Sequence, residues 1–453
     1  MRNRVKFLLV LVLLVSFFGG VKAQDYTLYY TIDEMPDACI FLPPPPAFES
    51  LAYVDDFEQW QWGKSMRATE RGKMASRDSE YSMGCVTEIF GKAMDMEITP
   101  EGTPAIWRLM YRVGETAHHS VVKAKNKYMR TRPFAKMNEH VAGEYDDEEG
   151  LRGNGSYPSG HTAFGWSIAL ALAEMAPEQQ DAILRRGYQY GESRVIVGAH
   201  WQSDVEAARL AMAASMARLH TNKDFLDDLA AARTEYREIK GIDKKSRVTG
   251  YPDGRNIMDA PVDTASRRYY ADVAQYWLAK TERDTERGLQ AMTDADDSET
   301  ALMSCFAPCI EMNISKKETP HIAALMSYSR AVFMSEAARM KDADFRKRPY
   351  VQLGEPTLLP DDEESNAVTS SYPSTAAAAG WGLALVLSEL APEHQDMILR
   401  RGYEYGRSRV IAGYHFASDV LAGRIMASYV FTQLHNDPEF VRLMEKARKD
   451  VKR

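Results

Sequence analysis

Cysteine is scarce in this chain. There are four in 453 residues, Cys39, Cys85, Cys305 and Cys309. Neither their spacing nor their neighbours make a metal site, and in an oxidising compartment four thiols allow three pairings. An excess of basic charge is missing too. The net charge of −8 argues against a nucleic-acid partner, which would need a basic face. No H-E-x-x-H or comparable metal signature occurs, so no metal and no cofactor is expected. After the first 23 residues no apolar run reaches the roughly 20 residues needed to cross a bilayer, and no stable membrane insertion is expected. Alternating strand-like patterns between turn signals are rare, which leaves helices as the building material.

The first 23 residues read as a signal peptide. Arg2, Arg4 and Lys6 give a positive start, Phe7 to Phe18 an apolar core, and Val21-Lys22-Ala23 a small-x-small cleavage site. The mature protein would begin at Gln24 and be periplasmic or secreted.

What the remainder contains, above all, is itself twice over. The first copy reads Lys125-N-K-Y-M-R-T-Arg132-Pro133, then Pro158-Ser159-Gly160-His161, then Ser193-Arg194-V-I-V-G-A-His200-W-Q-S-Asp204. The second reads Lys341-D-A-D-F-R-K-Arg348-Pro349, then Pro373-Ser374-Thr375-Ala376, then Ser408-Arg409-V-I-A-G-Y-His415-F-A-S-Asp419. Flanking segments recur as well: Arg67-A-T-E-R-G returns as Arg283-D-T-E-R-G. A linker-like stretch near 240–260, with Gly241, Gly250, Pro252 and Gly254, separates the copies. The expected domains are 24–245 and 246–453, each an all-α bundle. Phe164, Ile168 and Leu172 recur every four residues along one helix face. Ala176-Pro177 ends that helix and begins the next. Pro43–Pro46 is expected to be extended.

Each copy collects the parts of an oxyanion pocket. Lys125, Arg132 and Arg194 supply positive charge and directional donors. Ser159 and Gly160 open a helix, where N–H groups and the helix dipole favour an anion, and Gly160 lets the backbone come close. His200 and Asp204, four apart, are expected to be helix neighbours, with the carboxylate fixing the tautomer and freeing the other ring nitrogen as a nucleophile. His161, on another segment, is a proton donor and acceptor. Any one of these pieces alone is an ordinary turn, helix face or hydrogen-bonded pair. Their recurrence in the same order and spacing is what points to phosphoryl transfer through a phosphohistidine without a metal.

With these motifs in view, Gly155-S-Y-P-S-G-H-Thr162 and its flanks resemble the bacterial class A non-specific acid phosphatases, of the phosphatidic acid phosphatase type 2 and vanadium haloperoxidase superfamily. The similarity runs from Leu42 to about residue 235, and more weakly through the second copy. It implies a compact helical fold and periplasmic, metal-independent hydrolysis of many phosphomonoesters, with vanadate as an inhibitor. Carried over, Lys125, Arg132, Ser159, Gly160 and Arg194 would bind phosphate. His200 would attack, Asp204 would orient it, and His161 would protonate the leaving alcohol. The second copy keeps Lys341, Arg348, Ser374, Arg409, His415 and Asp419 but has Thr375 and Ala376 in place of Gly and His, so it is expected to be degenerate. The two copies would pack as an intramolecular pseudo-dimer, with further homo-oligomerisation open. A phosphotransferase to alcohols or nucleosides, and a non-catalytic phosphate-binding protein, remain as alternatives. The acidic stretches Asp146–Glu149 and Asp361–Glu364 read as solvated loops or as a mobile rim. His220 and His435, at matching helix ends, read as structural, and the adjacent His118 and His119 as too divergent to share a ligand.

Overall fold

The computed structural model describes residues 26–243, 250–341 and 345–451. The expected signal peptide and the expected boundary between 245 and 246 lie outside these residues. Among the described residues there are helices and turns and no strand. The first bundle contains α1 (Pro104–Tyr128), α2 (Gly160–Met175), α3 (Gln180–Ile196), α4 (Gln202–Leu219) and α5 (Lys223–Lys240). The second repeats it as α6 (Pro320–Lys341), α7 (Thr375–Leu390), α8 (Gln395–Ala412), α9 (Ala417–Leu434) and α10 (Pro438–Val451). No helix among the described residues is long and apolar enough to cross a membrane.

The centre of each bundle is its second helix. Ser159 caps α2, its oxygen accepting from the Thr162 N–H, and Ser374 caps α7 in the same way through Ala377. Ala176 has left helical geometry (φ −123°, ψ 68°) ahead of Pro177, as a residue before proline is pushed to do. The sequence marks one apolar face, yet every residue of α2 from Thr162 to Met175 is buried. The reason is that α2 packs on α1, α3 and α4 and also meets α9 of the other unit. Fully burying a side chain such as Phe164 or Ile168 is worth about 1.5–3 kcal/mol. One continuous apolar cluster spans both units, with α4 against α7 and α9.

Polar groups sit inside this inter-unit seam. The rings of His220 and His435 stack with centroids 3.6 Å apart. His220 Nε2 lies 3.0 Å from Glu174, and His435 Nε2 lies 2.8 Å from Glu389. The Nδ1 atoms hydrogen-bond the carbonyls of Met216 and Phe431. Glu174, His220 and His435 place ligand atoms close together, but with both nitrogens of each ring committed, the group reads as two hydrogen-bonded His–Glu pairs back to back. Burial alone would strip the proton from His220; Glu174, with Glu389 behind it, outweighs that and pushes its pKa up to about 9. A folded pKa raised above the free value of about 6.5 gives stability that is complete below that value and lost as pH climbs through about 9. Thermal melts should therefore show Tm falling from about pH 7 to pH 9.5, with His220→Gln flattening the slope. A wild-type Tm level across that range would remove the proposed contribution.

Candidate active site

Four segments converge at the N-terminus of α2. Lys125 comes from the last turn of α1, and Arg130 and Arg132 from the turn that follows. Arg194 comes from the last turn of α3, and His200 and Asp204 from the passage into α4. Gly198 takes φ +80°, a left-handed conformation that glycine adopts without strain. It ends α3 and turns the chain so that the Ala199 and His200 N–H groups both donate to the Arg194 carbonyl. Gly413 repeats this at φ +93°.

His200 and Asp204 are not on one helical turn as the four-residue spacing suggests. His200 precedes α4, Trp201 is extended (φ −75°, ψ 159°), and Asp204 is the third helical residue. Asp204 closes the turn by accepting from the Trp201 N–H at 2.9 Å. This still brings His200 Nδ1 to 3.5 Å from Asp204 Oδ2. Ser156 joins them, its hydroxyl 2.5 Å from Asp204 Oδ2 and 3.3 Å from His200 Nδ1. Nε2 of His200 faces Arg132 Nη1 at 2.9 Å. Since Arg132 can only donate, Nε2 carries the lone pair and Nδ1 the proton.

Behind Asp204 stands a buried pair that the sequence reading missed. Arg130 donates to Asp204 Oδ1 and to Asp56 Oδ2, both at 2.7 Å. Asp56 in turn accepts from the backbone and hydroxyl of Ser203, both at 2.7 Å. The signal was available, because Arg130, Asp56 and Ser156 recur as Arg346, Asp272 and Ser371 with the same bonding. Burial acts to raise the Asp204 pKa, yet Arg130 and His200 hold its carboxyl far below the usual range.

The cations crowd one another. Burial and the neighbouring Arg132 lower Lys125 to about 7, and burial and Arg194 lower Arg132 to about 10. Lys125 Nζ is 2.7 Å from the Gly155 carbonyl, and Arg132 Nε is 2.9 Å from the Leu151 carbonyl. Clustered buried cations of this kind form a preorganised site for an oxyanion. Ser159 contributes differently from expectation. Its N–H donates to the Asp204 carbonyl and its oxygen caps α2. The free helix-end donors are those of Gly160 and His161, the first helical residues, which no carbonyl of the helix can reach. A Cβ on Gly160 would lie 3.2 Å from His118 Nε2 and 3.7 Å from Lys125 Cε, so His118 also borders the site.

His161 is the second residue of α2. Its Nε2 donates to the Asp78 carbonyl at 2.9 Å, and its ring stacks on Tyr190 and meets Tyr81, both at 5.1 Å. Burial first, then the charges of Arg194 and Arg132, drive its pKa well below the free value. Arg132 is the one arginine whose charge acts on both histidines. Asp146 is not part of a solvated loop: its carboxylate pairs with Arg194 Nη2 at 2.5 Å, both side chains buried. Glu148 does face solvent, bonded to Arg152 and His140.

The second copy keeps the scaffold but has alanine where His161 stands in the first. Lys341 Nζ lies 2.5 Å from the Ser370 carbonyl, and Arg348 Nη1 lies 3.1 Å from His415 Nε2. Asp419 stands 3.9 Å from His415 Nδ1, which instead bonds the Ser371 carbonyl at 2.8 Å. Burial and Asp272 raise the Asp419 pKa, although Arg346 opposes them. Ser374 caps α7, followed by Thr375 and Ala376. With alanine at 376, the Asp294 carbonyl, which matches the His161 partner in the first copy, has no imidazole to accept from. Arg409 Nη1 has taken that carbonyl and its neighbour, at 3.5 and 3.3 Å.

The PAP2 superfamily matches the chain twice, at residues 109–225 and 321–440. The chain belongs to the PAP2 superfamily, with its domain present in tandem. Within it, the chain groups with the class A non-specific acid phosphatases. It is 42% identical over 215 residues to the non-specific acid phosphatase of Providencia stuartii, covering 47% of this chain and 86% of that one. It is 39% identical over 222 residues to the non-specific acid phosphatase of Salmonella typhimurium, covering 49% and 88%. With the acid phosphatase of Zymomonas mobilis it shares 34% over 204 residues, 45% and 77% of the two chains.

Proposed function

We propose that this phosphomonoester hydrolase is an exported acid phosphatase, acting through a phosphohistidine on His200 with no metal. Its working site lies in residues 24–245, and residues 246–453 form a degenerate second domain. The supporting observation is the orientation of His200, with Nε2 toward the cation cluster and Nδ1 toward Asp204.

In this reading Lys125, Arg132 and Arg194 hold the phosphoryl oxygens, joined by the Gly160 and His161 N–H groups and the Ser159 hydroxyl. His200 Nε2 bonds to phosphorus as the ester P–O bond breaks, and Asp204 stabilises the charge that develops on the ring. His161 gives its proton to the departing alcohol oxygen. The incoming dianion supplies the negative field that lets His161 carry that proton among so many cations. His161 then takes a proton from water, the water oxygen bonds to phosphorus, the P–N bond breaks and phosphate leaves. The arginines and Lys125 perform the charge stabilisation for which other phosphoryl-transfer enzymes use metal ions. Hydrolysis of p-nitrophenyl phosphate should therefore persist in excess chelator. Loss of activity that added metal restores would overturn the metal-free reading.

A pH consequence follows from Lys125. With its pKa near 7 in the free enzyme, a phosphate-binding charge disappears as pH rises through that value. The kcat/KM profile should fall on that limb, since it reports groups of the free enzyme. In Lys125→Met that limb should vanish and KM should rise; a wild-type profile flat from about pH 6 to 8.5 would contradict this.

The second unit is read as a partner that buries the first rather than as a second catalyst. The seam of α4 with α7 and α9, and the shared apolar cluster, support an intramolecular pseudo-dimer. The reading for residues 1–23 is a cleaved signal peptide with a periplasmic or secreted product.

A further inference from the structure

Arg194 is held in a way that differs between the two copies. In the first, its Nη2 meets Asp146 Oδ1 at 2.5 Å, and both side chains are at least 96% buried. The other donors of that guanidinium, Nε and Nη1, are buried with no hydrogen-bond partner among the described residues. Leaving buried donors unsatisfied costs about 1–3 kcal/mol each, so native structures rarely keep them without a purpose. In the second copy no described carboxylate forms a salt bridge with Arg409. There Nη1 is spent on the carbonyls of Asp294 and Ala295. Nε is unpartnered in both copies, so the difference lies in Nη1: it is free where the carboxylate is present and bonded to carbonyls where the carboxylate is absent.

Asp146 is fixed by the backbone around it. The Ala142 N–H donates to the Val197 carbonyl at 2.9 Å, and the Glu144 N–H to the Ser76 carbonyl at 3.2 Å. The Tyr145 N–H donates to the Ser79 hydroxyl at 2.9 Å. Gly143 turns under the acid: a Cβ there would lie 2.0 Å from Asp146 Oδ2. The segment is thus pinned to the end of α3 and to the Ser76–Ser79 turn, and not free to swing as a rim. The charge of Asp146 also reaches Arg132.

We propose that Asp146 is a positioning residue for the phosphatase reaction. It anchors Arg194 through Nη2 and so keeps Nη1 directed to a phosphoryl oxygen instead of a backbone carbonyl. This rests on the phosphate-site reading above and adds the residue that sets the geometry of one of its arginines. The two histidines of the reaction do not touch Asp146 among the described contacts, so its effect passes through Arg194.

The test is a double-mutant cycle in the full chain, with Asp146→Asn, Asp146→Glu, Arg194→Ala and the Asp146→Asn/Arg194→Ala pair. The readouts are kcat and KM on p-nitrophenyl phosphate and competitive inhibition by vanadate and by inorganic phosphate. Asp146→Asn is expected to lower kcat/KM about 10- to 100-fold and to weaken both inhibitors in parallel. Asp146→Glu should recover part of each loss. In the Arg194→Ala background, Asp146→Asn should cost nothing further, which distinguishes action through Arg194 from a general loss of structure. Inhibition that tightens in Asp146→Asn would make Asp146 a competitor for the anion site and overturn the proposal. Losses that add fully in the double variant would overturn it as well. If the wild-type chain neither hydrolyses the ester nor binds vanadate, it is the phosphate-site reading that fails. A wild type active and inhibited by vanadate, with Asp146→Asn unchanged, removes the role of Asp146 alone.

Discussion

Replacing His200 by Ala in the full chain should lower kcat for phosphomonoester hydrolysis by about 10⁴-fold or more, since a nucleophile cannot be compensated by the groups that only orient it. His200 is 2% exposed, and its Nε2 is the ring nitrogen that faces the cations. The same variant reads the second unit directly. His415 keeps an arginine at 3.1 Å, but Ala376 offers no proton to a leaving group and Arg409 is turned onto carbonyls. Little activity should remain. Hydrolysis of an alkyl phosphate near the wild-type rate would show the second unit to be active and would place the chemistry outside His200.

His161→Ala should separate substrates by their leaving groups. An alkoxide leaves poorly without a proton, so alkyl phosphates should lose about 10²–10⁴-fold in kcat. p-Nitrophenolate needs little help, and its loss in the first step should be far smaller. Rates across a series of substituted phenyl and alkyl esters should depend more steeply on leaving-group pKa in the variant than in the wild type. Equal losses across the series would mean that His161 supports the fold, through Asp78 and Tyr190, and is not the acid.

The reach of the sequence follows from how locally each feature is encoded. The helical bundles were legible because four-residue apolar spacing and capping residues such as Ser159 act over one or two turns. The cations and histidines were legible because duplication filtered them: what recurs around His200 and His415 stands out from what drifts. The relation of His200 to Asp204 was misread, because an i, i+4 spacing mimics a helix where an extended Trp201 intervenes. Arg130 looked like one more charge on a helix face, yet Met129 at φ 39° ends α1 and turns the next residue inward. Its partner Asp56 lies 74 residues away, a separation no local pattern reports. Asp146 was hidden in an acidic run whose other members do face solvent.

The most direct test of the central claim is to trap the covalent intermediate. His161→Ala should slow the water step more than the attack on p-nitrophenyl phosphate. Rapid denaturation of that variant during turnover, followed by peptide mass spectrometry under alkaline conditions that preserve phosphohistidine, should find phosphate on His200. Phosphate found on His415, on a serine, or on no residue while turnover proceeds would contradict the account.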